Sequence, residues 1–238
     1  HRPLFSSPDN FSSPRWSPDG NRLAYLSNVG RGQQLYVRWM DTGQTALLTN
    51  IQLSASNLSW SPDGETIAFT MSVEVDEKPY PINMPEKPEG AEWSPAFEYV
   101  TRARYQADGR GILEPAYTHV FIVPAQGGSA RQLTSGSYNH GGSLSWAPNS
   151  EEILFSANRG DNWEFETREA DIYGVSLYGN IRQITDTPGF EGTPSVSADG
   201  RLIAYVKSDN KKLAYRNRYL HLMNFDGSND RNLSANID

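Results

Sequence analysis

The sequence predicts an all-β fold, a β-propeller of four-stranded antiparallel blades, on three observations. A Trp-Ser-Pro-Asp-Gly segment recurs along the chain. The positions seven and nine residues past its first residue are large and apolar or aromatic in every copy. Each copy then ends on a short strand, closed by Thr or Ser, after a glycine turn.

The repeat begins as Trp16-Ser-Pro-Asp-Gly20 and returns as Trp60-Ser-Pro-Asp-Gly64. Looser copies are Trp146-Ala-Pro-Asn-Ser150 and Val196-Ser-Ala-Asp-Gly200. Ser-Pro-Asp-Gly matches a type I turn: Ser accepts a hydrogen bond at the first position, Pro presets φ at the second, and Gly closes it. The segment is therefore a hairpin between two strands. Leu23, Ile67, Ile153 and Ile203 stand seven residues past the Trp or Val, and Tyr25, Phe69, Phe155 and Tyr205 stand nine past it. Residues two apart share one face of a strand.

A third strand follows in each unit: Leu35-Tyr-Val37, Val120-Phe-Ile-Val123, Ile172-Tyr-Gly-Val175 and Leu220-His-Leu-Met223. After glycine turns at Gly43, Gly127-Gly128, Gly179 and Gly227 come the closing strands Ala46–Thr49, Arg131–Thr134, Arg182–Thr185 and Arg231–Ser234. Four short strands in a unit of roughly 45 to 50 residues make a propeller blade. A β-sandwich of unrelated hairpins would not repeat these offsets.

The whole chain, 1–238, reads as one propeller domain, with blades at about 11–50, 57–134, 139–185 and 188–234. Between Trp60 and Trp146 the spacing nearly doubles while only one closing strand appears, so the second blade is expected to carry an insertion over about 72–115. The first half of the insertion is proline-rich and reads as an extended surface segment. The second half, Val100 to Gly111, alternates and contains Asp-Gly, which reads as a protruding hairpin. A competing reading makes Tyr105–Gly109 a degenerate fifth repeat. Residues 1–5, His1-Arg-Pro-Leu-Phe5, read as the closing strand of an upstream blade, so the four blades are expected to be an incomplete piece of a larger ring. Alone, such a piece would expose sheet edges. The first residue is His1 and not Met, which points to a processed or excised segment.

Composition narrows the function classes. With 238 residues, 37% of them hydrophobic, the chain can bury a sizeable core, and no stretch approaches the length of a membrane span, so no membrane partner is expected. The absence of Cys removes disulfides and thiolate chemistry while leaving both cytoplasm and periplasm open as compartments. A net charge of −7 argues against a nucleic-acid partner. The most basic run, Lys207 to Arg218, is broken by Asp209 and Asn210 and reads as a solvated loop. No cofactor motif is present. His119 and His221 fall in or beside third strands, where they are expected to pack or hydrogen-bond locally. His140 falls in a loop and His1 is terminal, and no pair has zinc-helix spacing, so no metal site is expected. The triplets at Asn10, Asn57 and Asn232 lie near strands and are poor glycosylation sites.

Tandem Trp-Ser-Pro-Asp-Gly blades closed by Gln-Leu-Thr resemble the propeller of prolyl oligopeptidase-type serine peptidases, especially acylaminoacyl-peptidase and dipeptidyl-peptidase-like members. The resemblance covers essentially the whole chain. The same blade repeats occur in the periplasmic TolB protein, and the insertion with Trp93-Ser-Pro95 and Tyr105–Gly111 is what favours the peptidases. The resemblance implies a partner, an α/β-hydrolase domain of the same polypeptide, that would carry the catalytic Ser, Asp and His. No Gly-x-Ser-x-Gly elbow occurs in this chain, so no catalytic residue is assigned. It also implies the role of the propeller: covering the active site, limiting access to peptide substrates of modest size, and contributing groups that hold them. A TolB-like module that docks proteins through its blade loops is the alternative.

Within that resemblance, the loop Arg159 to Asp171 offers Glu164 and Glu166 as carboxylates for a peptide's free amino terminus, with Trp163 as a packing surface. The other reading of this loop is an acidic solvated surface. Arg102 and Arg104 in the insertion form a second candidate pair, a fork for a substrate carbonyl or carboxylate, unless they pair with acidic neighbours.

Overall fold

The computed structural model describes residues 3–5, 7–28, 33–51, 54–75, 85–94, 100–109, 111–211 and 215–236. The Ser-Pro-Asp-Gly turns organise it. In the first, the Gly20 N–H donates to the Ser17 carbonyl at 2.9 Å, while the Ser17 hydroxyl accepts from the Arg22 N–H at 2.9 Å. Ser61 and Ser197 repeat both bonds in their own turns. Gly20, Gly64 and Gly200 sit at φ of 71°, 73° and 71°, where a side chain is disfavoured. In the third copy Ser150 occupies that conformation, at φ 61°, and its hydroxyl accepts a 3.1 Å hydrogen bond from the Asp63 N–H of the neighbouring blade's turn. The departure from Gly at this position thus makes a contact between blades.

Four antiparallel sheets of four strands follow in sequence order. The first contains β1 (Phe11–Trp16), β2 (Arg22–Ser27), β3 (Gln34–Trp39) and β4 (Thr45–Leu47). The second contains β5 (Ala55–Trp60), β6 (Thr66–Glu74), β9 (Ala116–Pro124) and β10 (Arg131–Gln132). The third contains β11 (His140–Trp146), β12 (Glu152–Ala157), β13 (Asp171–Ser176) and β14 (Ile181–Gln183). The fourth contains β15 (Phe190–Val196), β16 (Leu202–Ser208), β17 (Tyr219–Asn224) and β18 (Arg231–Asn232). The register pairs Trp16 with Leu23, Trp60 with Ile67, Trp146 with Ile153 and Val196 with Ile203, so the seven-residue offset is a cross-strand pair.

The core lies between blades. One cluster joins Leu26, Leu35 and Val37 of the first sheet to Trp60, Phe69 and Phe121 of the second. A second joins Val120 and Ile122 to Trp146, Phe155 and Tyr173, and a third joins Leu154 and Ile172 to Ile203, Tyr205 and Met223. Each indole also ties its blade to the preceding one: Trp60 Nε1 donates to the Arg15 carbonyl at 3.0 Å and Trp146 Nε1 to the Ser59 carbonyl at 3.2 Å. Trp16 has no preceding blade in this chain and is 55% exposed, against 8% for Trp60 and 6% for Trp146.

Each closing strand stops short of the Thr or Ser expected to end it, because that residue's side chain takes over the pairing. The hydroxyls of Thr49, Thr134, Thr185 and Ser234 accept hydrogen bonds of 2.8–2.9 Å from the third-strand N–H groups of Leu35, Val120, Ile172 and Leu220. A Thr185→Val change keeps the shape and leaves the Ile172 N–H without an acceptor. It is expected to destabilise the chain by about 1–3 kcal/mol in urea unfolding.

The insertion departs between β6 and β9, which at nine residues each outrun the corresponding strands of the other blades. Strand β6 continues through Ser72 to Glu74, into the stretch read as insertion. Beyond it, β7 (Gln106–Ala107) and β8 (Gly111–Ile112) form a separate two-stranded sheet, and Gly109 of the Asp-Gly turn sits at φ 73°. Residues 76–84 and 95–99 lie outside the described residues, as do His1 and Arg2 of the expected closing strand. Pro3 to Phe5 are not in a strand, and the Phe5 ring stacks on Phe11 at 4.5 Å.

The basic run differs from its sequence reading at its start. Lys207 belongs to β16, and its ammonium lies 2.8 Å from Glu191 and 3.4 Å from Asp230, because the strand alternation turns it towards these two carboxylates. Arg218 lies over the Phe190 ring at 4.9 Å, and residues 212–214 are outside the described set. Among the described residues no helix is long and apolar enough to cross a membrane.

Candidate functional site

The first strands β1, β5, β11 and β15 contact one another in turn, and each is broken at the same place by a register shift. Ser13, Asn57, Gly142 and Thr193 mark these bulges with φ of 54°, 52°, 75° and 52°. Bulges re-aim side chains and backbone groups out of the regular ladder. In the second to fourth blades they open a cleft of about 450 Å³, whose polar lining includes Asn57, Thr118, Asn139, Ser156, Asn158 and Thr193. Among the described residues no lining residue carries a formal charge, and the buried Ser156 hydroxyl has no hydrogen-bond partner. The cleft lies where second strands end and third strands begin. The insertion and the loop after β12 emerge at this same end, opposite the Ser-Pro-Asp-Gly turns.

Three of the five residues singled out in the sequence meet here, in one contact between the two loops. The Arg102 guanidinium lies over the Tyr117 ring at 4.2 Å and donates to the Ala116 carbonyl at 3.2 Å. Trp163 meets the same Tyr117 ring in a T-shaped contact, with centroids 5.9 Å apart, and Glu164 Oε2 accepts from the Ala103 N–H at 3.3 Å. The loop holding Trp163 is a run of tight turns in which Asn162 O accepts from the N–H groups of both Phe165 and Glu166. Glu166 accepts from Asn158 through its backbone carbonyl, at 2.8 Å, and its side chain is exposed. Arg104 is exposed, with no hydrogen bond or ion pair among the described residues.

A second group on this end was not legible as a site. His140, expected in a loop, is the first residue of β11 and fully buried. Its Nδ1 lies 3.2 Å from His119 Nδ1, and its Nε2 lies 2.5 Å from Arg159 Nη1. Arginine only donates, so His140 Nε2 accepts and the proton of the neutral ring sits on Nδ1. Burial, assisted by the Arg159 charge, pushes His140 down to about 4, and burial also lowers His119. His221 pairs with Asp230 at 2.8 Å within its own blade. Among the described residues no group of three or more His, Asp or Glu is placed to hold a metal.

Asp171, beside the cleft residue Ala170, is pushed up to about 6 by burial and then by the neighbouring charge of Glu191. The folded state therefore binds this proton more tightly than the unfolded chain, whose Asp titrates near 3.8, and the ionised group costs stability above about pH 6. Asp171→Asn is expected to stabilise the chain at pH 7 by about 1 kcal/mol, after allowing for solvent screening, with the gain vanishing as pH falls from about 6 to below 3.8. Thermal melts of both proteins across that range would measure it.

The family model of the TolB β-propeller domain matches residues 1–237. The chain belongs to that family. The match spans all four blades and the insertion. Among this TolB-propeller chain's relatives, the uncharacterized peptidase YuxL of Bacillus subtilis is 34% identical over 148 residues, which is 62% of this chain and 22% of the peptidase. In structure, the acylaminoacyl peptidase of Pyrococcus horikoshii superposes with a TM-score of 0.70 at 16% identity, over 96% of this chain and 32% of that one. TolB from Acinetobacter baumannii gives a TM-score of 0.61 at 19% identity, over 97% of this chain and 45% of that one. The two solved structures establish the fold. The TolB-propeller chain thus spans between about a fifth and a half of the length of these three relatives.

Proposed function

We propose that this propeller is the non-catalytic, substrate-gating portion of a prolyl oligopeptidase-family serine peptidase, with peptide hydrolysis carried out by an α/β-hydrolase domain outside this chain. The observation that carries the reading is the 34% identity to a peptidase across 148 residues. The geometry is compatible with it. A cleft lined by uncharged amides, hydroxyls and bulged backbone suits an extended peptide, whose own amides need hydrogen-bond partners and carry no net charge. The loops that clasp over Tyr117 at the rim restrict what enters. Glu166, exposed beside the cleft, is the carboxylate left to receive a peptide's amino terminus, and Glu164, Trp163 and Arg102 hold the rim in shape. Arg104, exposed on the insertion, faces substrate or the hydrolase domain. In this reading the exposed Trp16 indole seats a further blade of the same kind, and the four blades belong to a larger ring.

The test is hydrolysis of chromogenic aminoacyl and dipeptidyl substrates by the protein that carries this chain. Activity blocked by a serine-directed phosphonate is expected, with Glu166→Gln raising KM for peptides with a free amino terminus and not for N-acetylated ones. A protein with no phosphonate-sensitive activity would favour the second reading. The family match itself supports that alternative, a TolB-like module that docks proteins through its blade loops.

A further inference from the structure

We infer that Arg159 is an anion-recognition residue beside the cleft, next in sequence to the lining residue Asn158, that takes a carboxylate of the bound peptide, either its free C-terminus or an acidic side chain. The inference deepens the peptide-gating reading and rests on it for the source of the carboxylate.

The guanidinium is held on three sides. It lies over the Tyr138 ring at 4.9 Å and the Tyr173 ring at 5.7 Å, and Nη1 donates to His140 Nε2. A protonated His140 would repel it, and burial keeps that ring neutral. Arg159 is not itself a lining residue of the cleft; it follows the lining residue Asn158, and its partner His140 stands between the lining residues Asn139 and Gly141.

Among the described residues the charge so placed pairs with no carboxylate: Arg159 opens a loop containing Asp161, Glu164, Glu166 and Glu169, and none of the four forms an ion pair with it. Glu164 accepts from the Ala103 N–H and Glu169 from the Gly189 N–H. Arg182 in the same blade shows the usual outcome, a two-pronged bridge to Glu152 at 2.6 and 3.1 Å. Among the described residues Arg159 Nε and Nη2 make no hydrogen bond, and neither is among the fully buried polar atoms that lack a partner, so neither is shut off from solvent. These two N–H groups form one edge of the guanidinium, whose spacing matches the two oxygens of a carboxylate. Aromatic stacking and the imidazole acceptor fix the fork before any ligand arrives, so little ordering entropy opposes its use. A carboxylate and a phosphate share this chemistry, and the experiment separates them.

The measurement is isothermal titration calorimetry of the intact protein, inactivated by phosphonate if it hydrolyses peptides, at pH 7. The probes are acetyl-Ala-Ala with a free carboxylate, acetyl-Ala-Ala-amide, acetyl-Ala-Asp-amide and inorganic phosphate. At least one carboxylate peptide is expected to bind about ten-fold or more tightly than the neutral amide, a difference that Arg159→Met removes and Arg159→Lys, which keeps charge without the fork, reduces at least three-fold. If Arg159→Met does not fold, the Arg159→Lys result decides. Equal affinity for charged and neutral peptides, a preference that survives the substitutions, or phosphate binding at Arg159 with no carboxylate preference would each overturn the inference. Binding is read without turnover, so an absence of peptidase activity would refute the proposed function and leave this result standing separately.

Discussion

Trp146→Ala is expected to lower the unfolding free energy by about 3–5 kcal/mol. The indole is 6% exposed and lies within the cluster that joins the second and third blades. Removing it opens a cavity that two rigid sheets cannot collapse to fill, and it leaves the Ser59 carbonyl without the 3.2 Å hydrogen bond from Nε1. Trp16→Ala is the internal control. At 55% exposure that indole has little burial to lose, so its replacement is expected to change stability by less than about 1 kcal/mol in this chain. Equal effects at the two positions, measured by urea denaturation, would contradict the account of how the blades are joined.

Gly189→Ala is expected to cost more than about 3 kcal/mol and to deform the cleft as well. Gly189 sits at φ 124°, outside the region L-residues adopt, which alone costs about 1–3 kcal/mol. A Cβ there would lie 2.2 Å from the Ser208 carbonyl oxygen, an overlap with backbone that no rotamer relieves. The residue also links two blades, since its N–H donates to Glu169 at 2.6 Å and its carbonyl accepts from the Ala170 N–H at 3.1 Å. Ala170 and Phe190 both line the cleft, so the proposed peptide binding should weaken together with stability. A variant with unchanged melting temperature would show that the backbone here is not constrained as described.

The blade was legible because its determinants are local. The turn chemistry of Ser17 to Gly20, the pair Trp16 to Leu23 and the apolar face shared by Leu23 and Tyr25 all lie within ten residues and recur at fixed spacing. What was not legible depends on contacts between repeats. The clasp of Arg102 and Glu164 joins two blades across sixty or so residues, Glu164 meeting Ala103 at a separation of 61, and nothing in either loop announces the other. Lys207 reads as part of a basic loop because its partners, Glu191 on β15 and Asp230 just before β18, are distant in sequence. His140 was read as a loop residue because Gly141 and Gly142 look like a turn, whereas Gly142 forms the bulge of a first strand. The Thr that closes each blade was visible as a repeated letter. Its use as a hydrogen-bond acceptor for the third strand was not.

The most direct test of the gating claim is the dependence of kcat/KM on substrate size in the intact protein. The account predicts efficient cleavage of peptides of a few residues and a steep loss for the same cleavage sequence placed in an exposed loop of a folded protein. Removing the rim contact by Trp163→Ala with Glu164→Ala should relax that loss. Equal cleavage of the short peptide and the folded protein would contradict the account.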